Sequence, residues 1–133
     1  MSTKDMMPQF TLFQPTDIDN ALDLLEKYGE RSWKVAGGQD SYDWFKDRAK
    51  RPEAVIDLGG IADLHGIREV ADGIEIGAMT TLREIVDNPM IAERYGVLAQ
   101  AAGRVASPQI RNAGTLGGNL CQDTRCWYYR SGL

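Results

Sequence analysis

Two short apolar runs, Trp33 to Ala36 and Ala54 to Leu58, each stop on a glycine pair, Gly37-Gly38 and Gly59-Gly60. Runs this short read as strands, and the glycines that follow free the backbone for sharp turns at their ends. Phe10 to Phe13, closed by Pro15, reads as a further short element. Between them Ile18, Ala21, Leu22, Leu25 and Tyr28 recur at helical spacing, with Thr16 and Asp19 as a weak capping box and Gly29 as the stop. Ser41 to Lys50 allows a short helix or an irregular segment. The expected unit over residues 1–60 is therefore a small α/β subdomain.

The pattern changes beyond a boundary placed at Gly60 to Gly66. Ile67 to Val70 and Ile74 to Ile76 flank Asp72-Gly73, a dipeptide suited to a tight hairpin. Thr81 with Glu84 makes a capping box, and Asn88-Pro89 supplies a cap followed by proline at the first helical position. A third helix is expected over Val97 to Gly103. Ser107-Pro108 reads as a break, followed by a glycine-rich stretch from Ile110 to Leu120. Residues 61–133 thus form an incomplete second α+β subdomain. Trp127, Tyr128 and Tyr129 close the chain with more apolar area than a free terminus hides, so they call for a partner surface.

The formal charge is -4, which gives no electrostatic reason to expect nucleic acid or an anionic membrane. No run of about 18 apolar residues occurs, so neither a membrane span nor a secretory leader is expected. Cys121 and Cys126 are too close in sequence to close a long loop and read as reduced thiols of a cytoplasmic chain, or as part of a set completed elsewhere.

Chemistry concentrates in two loops. Ala36-Gly37-Gly38-Gln39-Asp40-Ser41 follows a strand directly; paired glycines let successive amides converge on a phosphate oxygen, and Ser41 adds a hydroxyl. The other is Arg111-Asn112-Ala113-Gly114-Thr115-Leu116-Gly117-Gly118-Asn119, rich in donors for a diphosphate. Each is also explained by a plain glycine turn, since neither carries G-x-G-x-x-G or a P-loop lysine. His65 is the only histidine and reads as a turn or surface residue. Asp57 and Asp63 read as a strand end and a cap, Met79 as core, and no catalytic triad is visible.

Val35 to Asp40, Arg51-Pro52 to Asp57-Leu58, Ile76-Gly77-Ala78-Met79-Thr80-Thr81 and above all Ile110 to Leu120 resemble the FAD-binding medium subunit of the xanthine dehydrogenase (molybdenum hydroxylase) family. The resemblance implies the N-terminal part of a PCMH-type, vanillyl-alcohol oxidase-like FAD-binding fold. By it, Ala36, Gly37, Gly38, Gln39, Asp40 and Ser41 form one FAD loop and Thr115, Leu116, Gly117, Gly118 and Asn119 the other, with Thr80 and Thr81 near the flavin. It implies an electron-transfer component that works with a molybdopterin-binding large subunit and a [2Fe-2S] small subunit. The first loop continues as Tyr42-Asp43-Trp44-Phe45-Lys46, bulkier than in relatives, which places that bulk at the adenine or ribose side.

Leu120 to Tyr129 is similar to the 4-hydroxybenzoyl-CoA reductase and periplasmic aldehyde oxidoreductase members, whose flavin subunits carry an added [4Fe-4S] cluster. This likeness makes Cys126, and less directly Cys121, a cluster ligand, with the remaining ligands after residue 133. Family subunits are longer, so a C-terminal part of the same subunit is expected as a partner. The rival expectation is a truncated non-catalytic fragment or assembly protein that binds no flavin.

Overall fold

The computed structural model describes residues 6–131. The ends of both expected subdomains, residues 1–5 and 132–133, lie outside the described residues. Three strands, β1 (Thr11–Phe13), β2 (Ser32–Val35) and β3 (Ala54–Asp57), form a parallel sheet in the order β1-β3-β2. The central β3 is apolar because both its faces are covered, and Ala54, Val55 and Ile56 are all buried. Alternation puts Val55 on one face and Ala54 and Ile56 on the other.

Parallel neighbours need crossovers, and the two helices of this region supply them. Helix α1 (Ile18–Tyr28) joins β1 to β2 and packs on β3. Its cap is Asp17, whose carboxylate accepts from the Asn20 amide at 2.8 Å, so the expected Thr16–Asp19 pairing is displaced by one residue. Gly29 ends the helix at φ 50°, as glycine permits. Helix α2 (Ser41–Lys46) lies between β2 and β3 and sends Trp44 and Phe45 into a core with Val35 and Val55. Of the bulk after the first glycine loop, Trp44 and Phe45 are therefore turned into the interior, while Tyr42 stays exposed. Phe10 and Trp33 pack on Phe45 at ring distances of 5.8 Å in each case.

The other layer begins with the antiparallel hairpin β4 (Ile67–Val70) and β5 (Gly73–Ile76). Val70 pairs with Gly73, so the turn is Ala71-Asp72, one residue earlier than Asp72-Gly73. Three helices follow, α3 (Leu82–Asp87), α4 (Pro89–Arg94) and α5 (Gly96–Gly103). Their apolar faces meet the hairpin in a core built on Leu82, Ile85, Ile91 and Ala102, with Ile67, Ile74 and Ile76 against it. The Thr81–Glu84 capping box and the Asn88 cap with Pro89 behind it are both present.

Ile110 to Leu120 is not the irregular loop expected. Ser107 caps α6 (Pro108–Ala113), with Pro108 in its first turn, and Thr115 caps α7 (Leu116–Leu120). Ser-Pro starts a helix here for the reason Asn88-Pro89 does: the cap side chain takes an orphan amide and proline has none to satisfy. A last turn, α8 (Trp127–Arg130), closes the described chain.

Phe45 is fully buried, so Phe45→Ala is expected to cost about 3–5 kcal/mol, whereas Val97→Ala on the open face of α5 should fall within about 0.5 kcal/mol of the parent. Urea unfolding of the two variants checks the contrast.

Candidate functional site

Val35 and Asp57 are register partners, so β2 and β3 end together and the Gly37-Gly38 loop leaves from the carboxyl edge of the parallel sheet. Asp57 caps the neighbouring turn, accepting from the Gly59 amide at 2.9 Å, and His65 Nε2 lies 3.2 Å from the Gly59 carbonyl. Asp57 is the strand end its position suggests and also caps the turn, and His65 is the exposed turn residue expected.

The two glycine loops are brought together. A Cβ on Gly37 would lie 2.1 Å from the Ala113 carbonyl oxygen, so only a backbone without a side chain reaches the end of α6. A Cβ on Gly118 would lie 3.5 Å from that of Ala36. The Thr80-Thr81 segment is stitched to the same place. Thr81 forms an antiparallel bridge with Thr115, and the Leu116 and Gly117 amides donate to the Thr80 and Ala78 carbonyls at 2.9 and 2.8 Å.

The Thr80 and Thr81 hydroxyls each donate and accept within this knot. Buried Thr80 donates to the Gly66 carbonyl at 3.0 Å and accepts from its amide at 3.1 Å. Thr81 donates to Glu84 Oε2 at 2.7 Å and accepts from the Glu84 amide at 3.2 Å. The hydroxyl and amide of Thr81 hold the Glu84 carboxyl below its ordinary range. Thr115 accepts from the Gly118 amide at 3.1 Å, and the Asn119 amide donates to the Thr115 carbonyl at 2.9 Å. The Thr80 and Thr81 hydroxyls are thus spent within the protein, whereas Thr115 Oγ1 only accepts.

An amide census separates the loops. The amides of Leu116, Gly117, Gly118 and Asn119 all have protein acceptors. Those of Gly37, Gly38, Gln39, Asp40 and Ser41 have none among the described residues. Gly38 is buried and sits at φ +72°, the left-handed conformation that turns successive N–H groups toward one point. Trp33 Nε1 donates to Ser41 Oγ at 2.9 Å, which leaves the hydroxyl proton free to donate. Gln39 is exposed and reaches only the Gly37 carbonyl, at 3.3 Å. Arg111, a donor candidate by composition, instead ties the Val105 carbonyl at 2.7 Å.

Asp40 has a role that sequence did not reveal. Its carboxylate accepts from Arg130 at 2.8 and 2.9 Å, from Arg125 at 2.9 Å and from Trp44 Nε1 at 3.1 Å. Arg130 stacks 4.1 Å from the Trp44 ring centroid, and its side chain is only 9% exposed. Tyr129 adds an edge contact to Trp44 at 6.0 Å, and Lys50 pairs with Asp123 at 3.7 Å. Trp127 and Tyr128 remain largely exposed. No local pattern announces a contact spanning some 90 residues; opposite charges in a loop and a tail are the only hint.

Cys121 and Cys126 are exposed and free. Among the described residues no group of three or more His, Cys, Asp or Glu could hold a metal ion. The two thiols do not by themselves make the four-thiolate site that a [4Fe-4S] cluster takes. A cavity of about 440 Å³ lined by Trp33, Lys34, Lys50 and Arg51 opens where β2 and β3 begin, away from Gly37 and Gly38.

A parallel sheet with an amide-lined glycine turn at its carboxyl edge, braced by a second glycine segment from a hairpin-and-helix layer, is the α+β FAD-binding fold of PCMH type. The chain belongs to the family described as the FAD binding domain in molybdopterin dehydrogenase, whose pattern matches residues 8–126. It is 37% identical over 113 residues to the carbon monoxide dehydrogenase medium chain of Hydrogenophaga pseudoflava, covering 85% of this chain and 39% of that one. To the nicotine 6-hydroxylase medium subunit of Paenarthrobacter nicotinovorans it is 40% identical over 114 residues, covering 86% and 40%. The structure of carbon monoxide dehydrogenase from Hydrogenophaga pseudoflava superposes with a TM-score of 0.84 at 36% identity, over 86% of this chain and 40% of that one. The chain therefore spans about two-fifths of the length of these relatives.

Burial pushes the Asp40 carboxyl up, but hydrogen bonds from Arg130 and Trp44 and the charges of Arg130 and Arg125 outweigh it and hold the group below 3.8. A carboxylate depressed in the folded state stabilises above its unfolded value and ceases to as pH falls through the folded one. Asp40→Asn should therefore lower stability near neutrality, and the gap to the parent should close as pH drops below about 3.8. Thermal unfolding of both proteins from neutral to acid pH checks the sign.

Proposed function

We propose that the chain is the FAD-binding, electron-transferring part of a multi-subunit molybdenum-dependent oxidoreductase. The observation that carries this is the run of five amides from Gly37 to Ser41 with no acceptor among the described residues, in the loop that the sequence resemblance assigns to FAD. The residues fit the cofactor: Gly37 to Ser41 would hold its diphosphate through backbone N–H groups and the Ser41 hydroxyl. Thr115 to Asn119 would approach from the other side, with Gly118 and the Asn119 side chain exposed beside Ala36. Thr80 and Thr81 hold that segment in place. When bound, FAD supplies the redox chemistry through its isoalloxazine, and the protein supplies placement and electrostatics.

The same reading assigns partners by chemistry, a molybdopterin-binding large subunit, a [2Fe-2S] small subunit and the rest of its own subunit. Support comes from relatives named as medium chains or subunits and from the exposed Trp127 and Tyr128. Among the described residues no helix is long and apolar enough to cross a membrane, and two free thiols suit a reducing, cytoplasmic setting. Within the family, the run from Leu120 to Tyr129 favours the 4-hydroxybenzoyl-CoA reductase branch. The family match ends at residue 126, inside that run. On this reading Cys126, with Cys121 second, ligates a [4Fe-4S] cluster completed from outside the chain. Anaerobic reconstitution with iron and sulfide should then load well under four irons per isolated chain; about four, held by a monomer, would count against it.

Titration of the purified chain with FAD, followed by flavin fluorescence, tests the main assignment. Saturable binding is expected, and Gly38→Val should weaken it at least about tenfold, since that residue is strained at φ +72° and its Cβ would lie 2.8 Å from the Tyr42 ring. A folded parent that binds no flavin would instead support the non-catalytic fragment.

A further inference from the structure

The amide-lined loop contains a carboxylate where a dianionic diphosphate is to sit. Asp40 contributes one of the five open amides, and its own side chain brings a negative charge to the same turn. Left alone, that charge opposes any anion the amides would bind. It is not left alone: Arg130 and Arg125 both reach its Oδ1, at 2.8 and 2.9 Å. Two guanidiniums against one carboxylate reverse the sign of the local charge. Arg130 is nearly buried and stacked on Trp44, whereas Arg125 is 58% exposed, so most of its N–H donors still face outward.

We propose that the segment carrying Arg125 and Arg130 is part of the diphosphate site: its two arginines neutralise Asp40 and leave the first glycine loop positive enough to accept an anion. The Arg130–Trp44 stack, the Tyr129–Trp44 edge contact and the Lys50–Asp123 pair hold the segment without the Asp40 carboxylate. The segment is held by this cluster and by the Lys50–Asp123 pair, so loop and tail are one electrostatic unit although some 85 residues separate Asp40 from Arg125.

This rests on the flavin reading above, and the test separates the two. FAD affinity at neutral pH is measured by fluorescence titration for the parent chain, Arg125→Ala, Arg130→Ala, Asp40→Asn and the double variants Asp40→Asn/Arg125→Ala and Asp40→Asn/Arg130→Ala. Each arginine variant is expected to bind about tenfold more weakly, because it takes one positive charge from beside the loop. Asp40→Asn should bind no more weakly than the parent, and each double variant should recover most of what its arginine substitution lost. If the arginines merely prop the loop, Asp40→Asn weakens binding as the arginine variants do and the doubles recover nothing, which overturns the proposal. So do arginine variants that bind as the parent does. Arg125 is exposed, so its cycle remains informative if Arg130→Ala fails to fold. A folded parent with no affinity for FAD overturns the flavin reading and this inference with it.

Discussion

At Gly37 the backbone meets the Ala113 carbonyl closely enough that a Cβ would fall 2.1 Å from that oxygen. This contact fixes where the three-stranded sheet stands relative to the hairpin-and-helix layer. Around it the Thr81–Thr115 bridge, the Leu82 amide on the Gly114 carbonyl and the Gly117 amide on the Ala78 carbonyl draw three segments together. A side chain at Gly37 would force the layers apart. The glycine spacing is therefore a packing requirement first, and the open amides of the first loop are a consequence of it.

The two glycine segments share a composition and divide the labour. In the second, the cap of α7 and the ladder to Ala78 and Thr80 consume the amides, as buried backbone demands. In the first, the chain turns at Gly38 before α2 begins, and no strand lies beside it to accept. A loop of unpaired amides is stable only with water or a ligand in contact. The bracing therefore falls to the second loop, and the first is the one left with amides for the proposed diphosphate.

Charge adds a second layer. Asp40 ties the chain's last described turn to α2 through two arginines of the tail, and Trp44 joins both as hydrogen-bond donor and stacking surface. The same indole is part of the sheet core with Phe45 and Val55. Packing of the first half and docking of the tail thus meet in one residue.

Much was legible from local signals. Caps at Thr81 and Asn88, the stop at Gly29, the strand runs before the glycine pairs and the first glycine turn all follow from interactions within a few residues, which sequence order determines directly. Where local signals were ambiguous the sequence misled: Ser107-Pro108 looks the same as a breaker or as a cap, and Asp72-Gly73 fits a turn in more than one register. Composition could not say which loop's amides stay free, since that depends on the acceptors that other segments bring alongside. Nor could it pair Asp40 with Arg125 and Arg130. Those are long-range contacts, and only the tertiary structure decides them, because a charge or an amide has no partner until the fold closes the distance.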